Sequence, residues 1–242
     1  MIRYRKPPIT EAVIDFGVNL PSEIGVTQLQ SLSSNLSSEF PDSKEIVETD
    51  FVFSVGAENK DSGSKTTKTG FRLQSADKRW VIQARLTRFT LSLLHSYEDW
   101  DSFRGRARSY WPYYRDVAQP KNISRVGVRY INRIDVPRSE LIKDYLKDVP
   151  GIPNELTGGE DHFFLQLKKE LPDISSTLVL NYATVGPTDP ETKSIILDID
   201  IHREGEWNPN DDNAWTFLDQ LRDRKNKIFE TCITDKFREQ IK

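Results

Sequence analysis

Four arginines on two predicted strands are the side chains whose type and spacing suggest chemistry most directly. Arg125, Arg129 and Arg133 have the same parity along one predicted strand, so their side chains leave the same face of a sheet. Arg85 lies on another predicted strand. Guanidinium groups in a row can bind phosphates through forked N–H donors, so these residues are candidates for binding an anion, a nucleotide or nucleic acid. The alternative is that each arginine pairs with a carboxylate across the sheet or on a helix.

A second group of polar side chains lies on the predicted strand from Ile195 to Arg203. Asp198, Asp200 and His202 alternate with apolar residues and therefore share the polar face of this strand. Two carboxylates and an imidazole at this spacing could hold a divalent cation, which would activate water in a phosphoesterase. These three residues are the candidate metal ligands. The alternatives are that the carboxylates pair with the arginine strand or form a solvated face.

The common catalytic signatures are missing from the sequence. It contains no Gly-rich phosphate loop, no dinucleotide-binding Gly motif, no Gly-x-Ser-x-Gly elbow and no His-Glu-x-x-His pair. The single cysteine, Cys232, falls on the apolar stripe of the last predicted helix, where a thiol usually packs without reacting. We therefore predict no catalytic residue and no cofactor, and the sequence favours a protein that is not an enzyme.

The composition predicts a globular protein of the cytoplasm. Hydrophobic residues make up 36% of the chain and charged residues 29%. The longest apolar runs, such as Ile195–Leu197, are far shorter than the ~20 residues that span a bilayer. The N-terminal residues Met1–Pro8 lack the apolar stretch of a signal peptide, and one cysteine cannot form an intramolecular disulfide. We therefore expect no association with a membrane.

The charges are distributed unevenly along the chain. The net charge is −3, yet the segment from Arg72 to Arg133 contains thirteen Lys or Arg and only five Asp or Glu. Such a basic segment can form a surface that binds nucleic acid. It can equally pair with the acidic flanking segments inside one fold.

The hydrophobic periodicity predicts strands and helices in an order that repeats after Pro120. Alternation predicts a strand at Glu11–Asn19, and leucines spaced by three or four predict a helix over 26–39. A second helix follows Trp100, with a kink or break at Pro112. The other predicted elements are strands at 45–56, 68–75, 79–86, 88–95, 123–136, 162–170, 176–185 and 193–203, a short helix at 139–147 and a final helix after Asp212.

This order predicts an α+β fold built from two similar units. Residues 1–120 would form a β-α-ββββ-α unit and residues 121–242 a β-α-βββ-α unit, packed as one compact domain. Each unit would curl an antiparallel sheet around its long terminal helix, in the manner of helix-grip or TATA-binding-protein-like folds. The two sheets could then lie side by side as one saddle. This comparison is an analogy of fold and does not fix a function.

Several short segments along the chain resemble one bacterial family. They are PPITEAV at Pro7–Val13, YEDW at Tyr97–Trp100, GVRYINRI at Gly127–Ile134, LDID at Leu197–Asp200 and KNKIFE at Lys225–Glu230. The family that they resemble is a set of sporadically distributed proteins of about this length, without an established activity. The resemblance implies an accessory role of the kind that accompanies mobile or defence-associated genes. It supplies no catalytic residue.

These observations favour a binding or interaction protein of an accessory bacterial locus. It would be a sensor, an immunity or antitoxin-like component, or a subunit of a defence complex, and its partner would be a protein encoded by a neighbouring gene. Recognition of nucleic acid or a nucleotide by the basic segment is the first alternative, and a metal-dependent phosphoesterase is the second. The sequence leaves open whether the chain forms a homo-oligomer.

Overall fold

The computed structural model describes residues 4–53, 62–147 and 162–242, without the side chains of residues 50–53 and 62–63. These residues form nine strands and four α-helices. The strands are β1 Ile9–Asn19, β2 Asp42–Phe53, β3 Ser62–Gln74, β4 Trp80–Arg85, β5 Arg88–Leu94, β6 Asn122–Pro137, β7 Phe164–Leu171, β8 Ser176–Val185 and β9 Thr192–Trp207. The helices are α1 Val26–Asn35, α2 Trp100–Ala118, α3 Asn213–Cys232 and α4 Asp235–Ile241.

All nine strands belong to one antiparallel sheet in the order β2-β3-β4-β5-β1-β6-β9-β8-β7. The central strand of this sheet is β1, and its neighbour β6 pairs with β1 on one side and with β9 on the other. The β6–β9 register runs from Ile123 opposite Trp207 to Pro137 opposite Thr192. The first and second halves of the chain are therefore joined by continuous backbone hydrogen bonding.

The predicted fold class is wrong. We expected duplicated units, each with its own sheet curled around a helix, whereas the structure is dominated by a single nine-stranded sheet. The helix expected at 139–147 is only a short 3₁₀ turn at Ile142–Asp144, so the described part of the second half does not repeat the element order of the first. Alternation of apolar residues predicts strands but not which strands pair. The pairing of β1 with β6 joins the strands of the two predicted units into one sheet.

The two faces of the sheet differ because residues alternate along each strand. On β6, Val126, Val128 and Tyr130 are buried, and the long helices pack over this face. The ring of Phe16 on β1 meets Trp111 of α2 at 5.1 Å and Trp215 of α3 at 5.0 Å between ring centroids. Both helices therefore cover the same face, and the odd-numbered residues of β6 from 125 to 135, which include the three arginines, lie on the opposite face.

The helices differ from their prediction at one more place. Helix α2 continues through Pro112 as one element from Trp100 to Ala118, so the proline does not split it. Its apolar stripe packs as expected, since Phe103, Ala107 and Tyr114 are all buried. None of the helices in residues 4–53, 62–147 and 162–242 is long and apolar enough to cross a membrane.

Candidate ligand-binding cavity

Arg129, at the centre of the arginine strand, forms a two-pronged ion pair with Asp198 of β9. Its Nε and Nη2 donate to the two carboxylate oxygens at 2.8 and 2.7 Å. The residues face each other because Arg129 and Asp200 are register partners, which sets Asp198 diagonally opposite. Asp198 is 4% exposed and also accepts from the Asn181 amide at 2.8 Å. The hydrogen bonds to Asp198 raise the pKa of Arg129 above its ordinary value.

Arg125 is the most buried of the three arginines on this strand. It donates to Asp15 of β1 and lies 3.4 Å from Asp200 of β9, so it connects the two neighbours of β6. Asp15 is 6% exposed and also contacts Arg88 at 3.2 Å and the hydroxyl of Thr90 at 3.1 Å. This one guanidinium thus pairs with the buried carboxylate of Asp15 and with the half-buried carboxylate of Asp200.

The remaining two candidate arginines are also paired. Arg133 donates to Asp135 at 3.1 Å and to the Ser194 hydroxyl at 2.7 Å. Arg85 donates to Glu48 at 3.0 Å, in a pair whose side chains are largely solvent-accessible. An incoming phosphate would have to displace a carboxylate at each of the four positions. The anion-binding role of this strand stays a prediction, and the pairing favours the alternative that the arginines are structural.

The three candidate metal ligands are engaged in the same network. Both oxygens of Asp198 accept hydrogen bonds from Arg129, and Asp200 lies 3.4 Å from His202 Nδ1 as well as near Arg125. Burial raises the pKa of Asp200, but the His202 hydrogen bond and the charge of Arg125 outweigh burial and lower that pKa below its ordinary value. Among the residues that the structure describes, no group of three His, Cys, Asp or Glu side chains is arranged to hold a metal ion.

A divalent cation is therefore not expected to stabilise the fold. The oxygens of Asp198 already accept hydrogen bonds from Arg129 and Asn181, so a cation would have to break these hydrogen bonds before it could bind the carboxylate. We expect millimolar Mg²⁺ or Mn²⁺ to leave the melting temperature unchanged within about 1 °C. A rise of several degrees that Asp200→Ala abolishes would contradict this and restore the metal hypothesis.

A cavity of ≈ 710 Å³ lies on the helical side of the sheet, away from the arginine face. Four separate parts of the chain line it: residues of the segment 4–9, residues 97–101, Asn132 of β6, and residues of 222–230 in α3. Its lining combines aromatic and aliphatic side chains with charged ones, and most of the lining surface is apolar. Both the volume and the lining are typical of pockets that bind small molecules.

Strand β6 and helix α3 form the innermost part of this cavity. Asn132 lies on the core-facing side of β6, two residues after Tyr130, and is 2% exposed. Its amide nitrogen donates to the backbone carbonyls of Tyr130 and Leu197, at 3.3 and 3.0 Å. The side-chain carbonyl of Asn132 is therefore left to accept a hydrogen bond from a ligand.

The start of α2 forms a second side of the cavity. His95 and Ser96 adopt left-handed backbone angles, with φ of 58° and 50°, and turn the chain from β5 toward the helix. Asp99 caps α2 by accepting from the Ser102 amide at 2.9 Å, which fixes the direction in which the helix leaves. Trp100 then lines the cavity from the first turn, with its indole N–H donating to Asp219 of α3 at 2.6 Å.

Two tyrosines join this side to β6. The hydroxyls of Tyr97 and Tyr130 lie 3.2 Å apart, and their rings meet edge to face at 5.4 Å. Burial raises the pKa of Tyr97 to about 12 and raises that of Tyr130 well above its ordinary value. Both phenols therefore keep their protons near neutral pH and act there as hydrogen-bond donors and acceptors.

The segment before β1 closes the cavity on a third side. Two backbone hydrogen bonds hold this segment in place. The Lys6 N–H donates to the carbonyl of Ile241 in α4 at 3.1 Å, and the Arg133 N–H of β6 donates to the carbonyl of Pro8 at 2.8 Å. Tyr4 donates its hydroxyl to Glu230 of α3 at 2.6 Å and packs against the ring of Phe229. The segment is thus bound to both β6 and α3.

Lys225 of α3 is the charged residue that lies deepest in this cavity. It is 7% exposed, and its Nζ lies 3.7 Å from the ring centre of Tyr130. Burial and, to a smaller extent, the nearby charge of Arg222 lower the pKa of the Lys225 ammonium to about 7. The Tyr130 ring attracts the ammonium, but a cation–π contact contributes only about 1 kcal/mol, less than burial removes. A substantial share of Lys225 is therefore a neutral amine near pH 7.

The sequence-based candidates did not include this cavity. A signal for Lys225 was present, because it stands four residues after Leu221 and four before Phe229, on the apolar stripe of α3. Asn132 likewise interrupts the run of core-facing residues on β6. A polar residue at a core position either satisfies a structural partner or faces a site, and spacing alone does not distinguish these two cases.

Comparison of the chain with protein-family models, with curated proteins and with solved structures gives no match.

Proposed function

We propose that this protein is a binding protein that holds a small organic ligand in the cavity between the N-terminal segment, β6, the start of α2 and α3. The observation that carries the proposal is the polar pair at its innermost end. Lys225 and Asn132 are the buried polar residues that line this space of ≈ 710 Å³, whose other charged residues are more exposed. A few polar groups placed in an apolar pocket are what fixes the orientation of a bound molecule.

The lining favours a ligand with an apolar or aromatic body and no strong negative charge. Tyr4, Tyr97, Trp100 and Phe229 offer ring surfaces. Arg222 is engaged with Asp223 at 3.0 Å and lies over the Trp100 ring, so it is not reserved for an anion. The cavity carboxylates outnumber the cavity cations, which disfavours a phosphate or a polycarboxylate.

The resemblance to the sporadically distributed family supports the same site. Four of the five segments that carry it, namely PPITEAV, YEDW, GVRYINRI and KNKIFE, each contribute residues to this cavity. They are far apart in the sequence, and all four line this one cavity. We therefore propose a cytoplasmic sensor of an accessory bacterial locus, whose ligand-bound state is recognised by a protein encoded nearby.

Retention of a small molecule from a bacterial metabolite extract tests this function. The protein is incubated with the extract, desalted and examined by native mass spectrometry, and we expect one bound species. Ile9→Trp fills the cavity from the start of β1 and is expected to reduce retention by about tenfold or more. Val47→Trp, at an exposed position of the far edge strand β2, is the matched control and retains the ligand.

Two results would contradict the proposal. Equal retention by the wild type and by folded Ile9→Trp would place the ligand outside the cavity. No retained species in the wild type, with extracts from several bacteria, would remove the binding function itself.

A further inference from the structure

We propose that Lys225 is a nucleophile that binds an aldehyde or ketone ligand covalently, as a reversible imine. This inference rests on the proposed function, because it names the ligand class and the bonding atom of the same cavity. It adds a chemical step that a purely non-covalent site would lack.

The geometry separates Lys225 from the surface lysines. Lys225 lines the cavity with a side chain that is only 7% exposed, and its Nζ lies 3.7 Å from the centre of the buried Tyr130 ring. No ion pair joins it to a carboxylate in the described part of the chain. By contrast, Lys68 contacts Glu45 at 2.6 Å, and Lys236 pairs with Glu140. A lysine held by an aromatic ring and apolar surroundings can lose its proton without breaking a salt bridge.

The protonation state of Lys225 fits this role. Burial and Arg222 lower the pKa of Lys225 to about 7, so its amine is neutral in about half of the protein molecules at pH 7. An ordinary lysine, with a pKa near ~10.4, is neutral in fewer than about one molecule in a thousand at this pH. Near the amine, the raised pKa values of Tyr4, Tyr97 and Tyr130 keep these phenols protonated near pH 7. Tyr130 of β6 lies against the amine, and the other charged and titratable residues that line the cavity are Arg222, Asp223, Lys227 and Glu230 of α3, Tyr97, Glu98, Asp99 and Asp101 around the start of α2, and Tyr4.

The step balances without an oxidant or a reductant. The neutral amine of Lys225 attacks the carbonyl carbon, the C–N bond forms, and the carbonyl oxygen takes up the proton that the nitrogen loses. The resulting carbinolamine then loses its hydroxyl group and the remaining N–H proton as one water molecule, which leaves the C=N bond. Water reverses both stages, so the ligand can be released.

The cavity selects among carbonyl compounds. Its aromatic sides accept an apolar body, and the Asn132 carbonyl can accept a hydrogen bond from a ligand hydroxyl or N–H group. Because the cavity carboxylates outnumber its cations, a 2-oxo acid is disfavoured relative to an uncharged aldehyde or ketone. The ligand class is therefore an uncharged carbonyl compound with an apolar or aromatic body.

Reductive trapping with cinnamaldehyde tests the inference on the full chain. The protein is incubated with cinnamaldehyde and cyanoborohydride at pH 7, which converts an imine into a stable amine, and the adduct is located by peptide mass spectrometry. We expect Lys225 to be labelled about tenfold or more faster than Lys121, an exposed lysine that does not line the cavity. Lys225→Arg keeps the charge and removes the adduct. In the wild type, which needs no variant, labelling of Lys225 falls as the pH is lowered below 7.

Cinnamyl alcohol, which has the same body without the carbonyl, separates the two proposals. If the alcohol raises the melting temperature of the wild type but not of Ile9→Trp, and Lys225 gains no adduct, the cavity binds ligands and the imine is refuted. Equal labelling of Lys225 and the surface lysines also refutes it. If neither cinnamyl alcohol nor any molecule of the extract binds, the proposed function fails as well.

Discussion

Replacing Lys225 by Met is expected to stabilise the protein near pH 6, by about 3 kcal/mol. Folding lowers the pKa of Lys225 by roughly three units, and each unit corresponds to about 1.4 kcal/mol of destabilisation by the buried charge. Methionine removes this destabilisation but also removes the cation–π contact with Tyr130, which reduces the net gain by about 1 kcal/mol. The folded-state pKa lies below the unfolded value, so the unfolded chain binds more protons between pH 7 and about pH 10. The destabilisation by Lys225 is therefore complete below pH 7 and disappears as the pH rises toward 10.

Urea unfolding near pH 6 and near pH 10 measures this effect. We expect the stability difference between Lys225→Met and the wild type to shrink steadily between these two conditions. Lys227→Met, two residues along the same helix but exposed, is the control and changes stability by no more than about 0.5 kcal/mol at either pH. If Lys225→Met destabilises the protein near pH 6, the lysine contributes to the fold and its buried amine is not poised to lose a proton.

Replacing Arg125 by Met is expected to destabilise the protein by about 3 kcal/mol. The side chains of Arg125 and Asp15 are 15% and 9% exposed, and loss of the guanidinium leaves the Asp15 charge buried with only Arg88 and Thr90 beside it. Removal of one partner of a buried ion pair typically costs about 3–5 kcal/mol, and the contact with Arg88 reduces that cost here. Asp15→Asn combined with Arg125→Met should recover part of the loss, because the unpaired charge is then gone.

Arg85→Met is the matched control for this prediction. Arg85 and Glu48 form an ion pair between side chains that are 31% and 59% exposed, so its loss is expected to cost no more than about 1 kcal/mol. The measurement is urea unfolding at pH 7. Equal and small effects of the two substitutions would show that the arginine strand is not a structural ion-pair network, and would favour the anion-binding alternative.

The strands and their facing residues follow closely from the sequence, whereas the pairing of the strands does not. Alternation places Arg125, Arg129 and Arg133 on one face of β6, and the pairing of these arginines with carboxylates was an alternative that the sequence left open. The single sheet could not be predicted, because β1 and β6 are separated by more than a hundred residues and local periodicity carries no information on such contacts.

The cavity could not be predicted for a similar reason. Its sides come from the segment 4–9, residues 97–101, β6 and α3, which approach one another only when the helices pack on the sheet. The sequence contains a hint in Lys225, because burying a lysine on an apolar stripe is costly and therefore rare. The spacing of residues within one element reveals a chemical motif, whereas a site assembled from four distant segments can be identified only when the fold is known.

The most direct test of the account compares ligand retention in two variants that affect opposite faces of the sheet. Ile9→Trp fills the cavity on the helical face, and Arg129→Met removes a guanidinium from the arginine face. Native mass spectrometry after incubation with a bacterial metabolite extract is the measurement. We predict that Arg129→Met retains the small molecule bound by the wild type and that Ile9→Trp loses it. Loss from Arg129→Met with full retention by Ile9→Trp would place the site on the arginine strand and contradict the account.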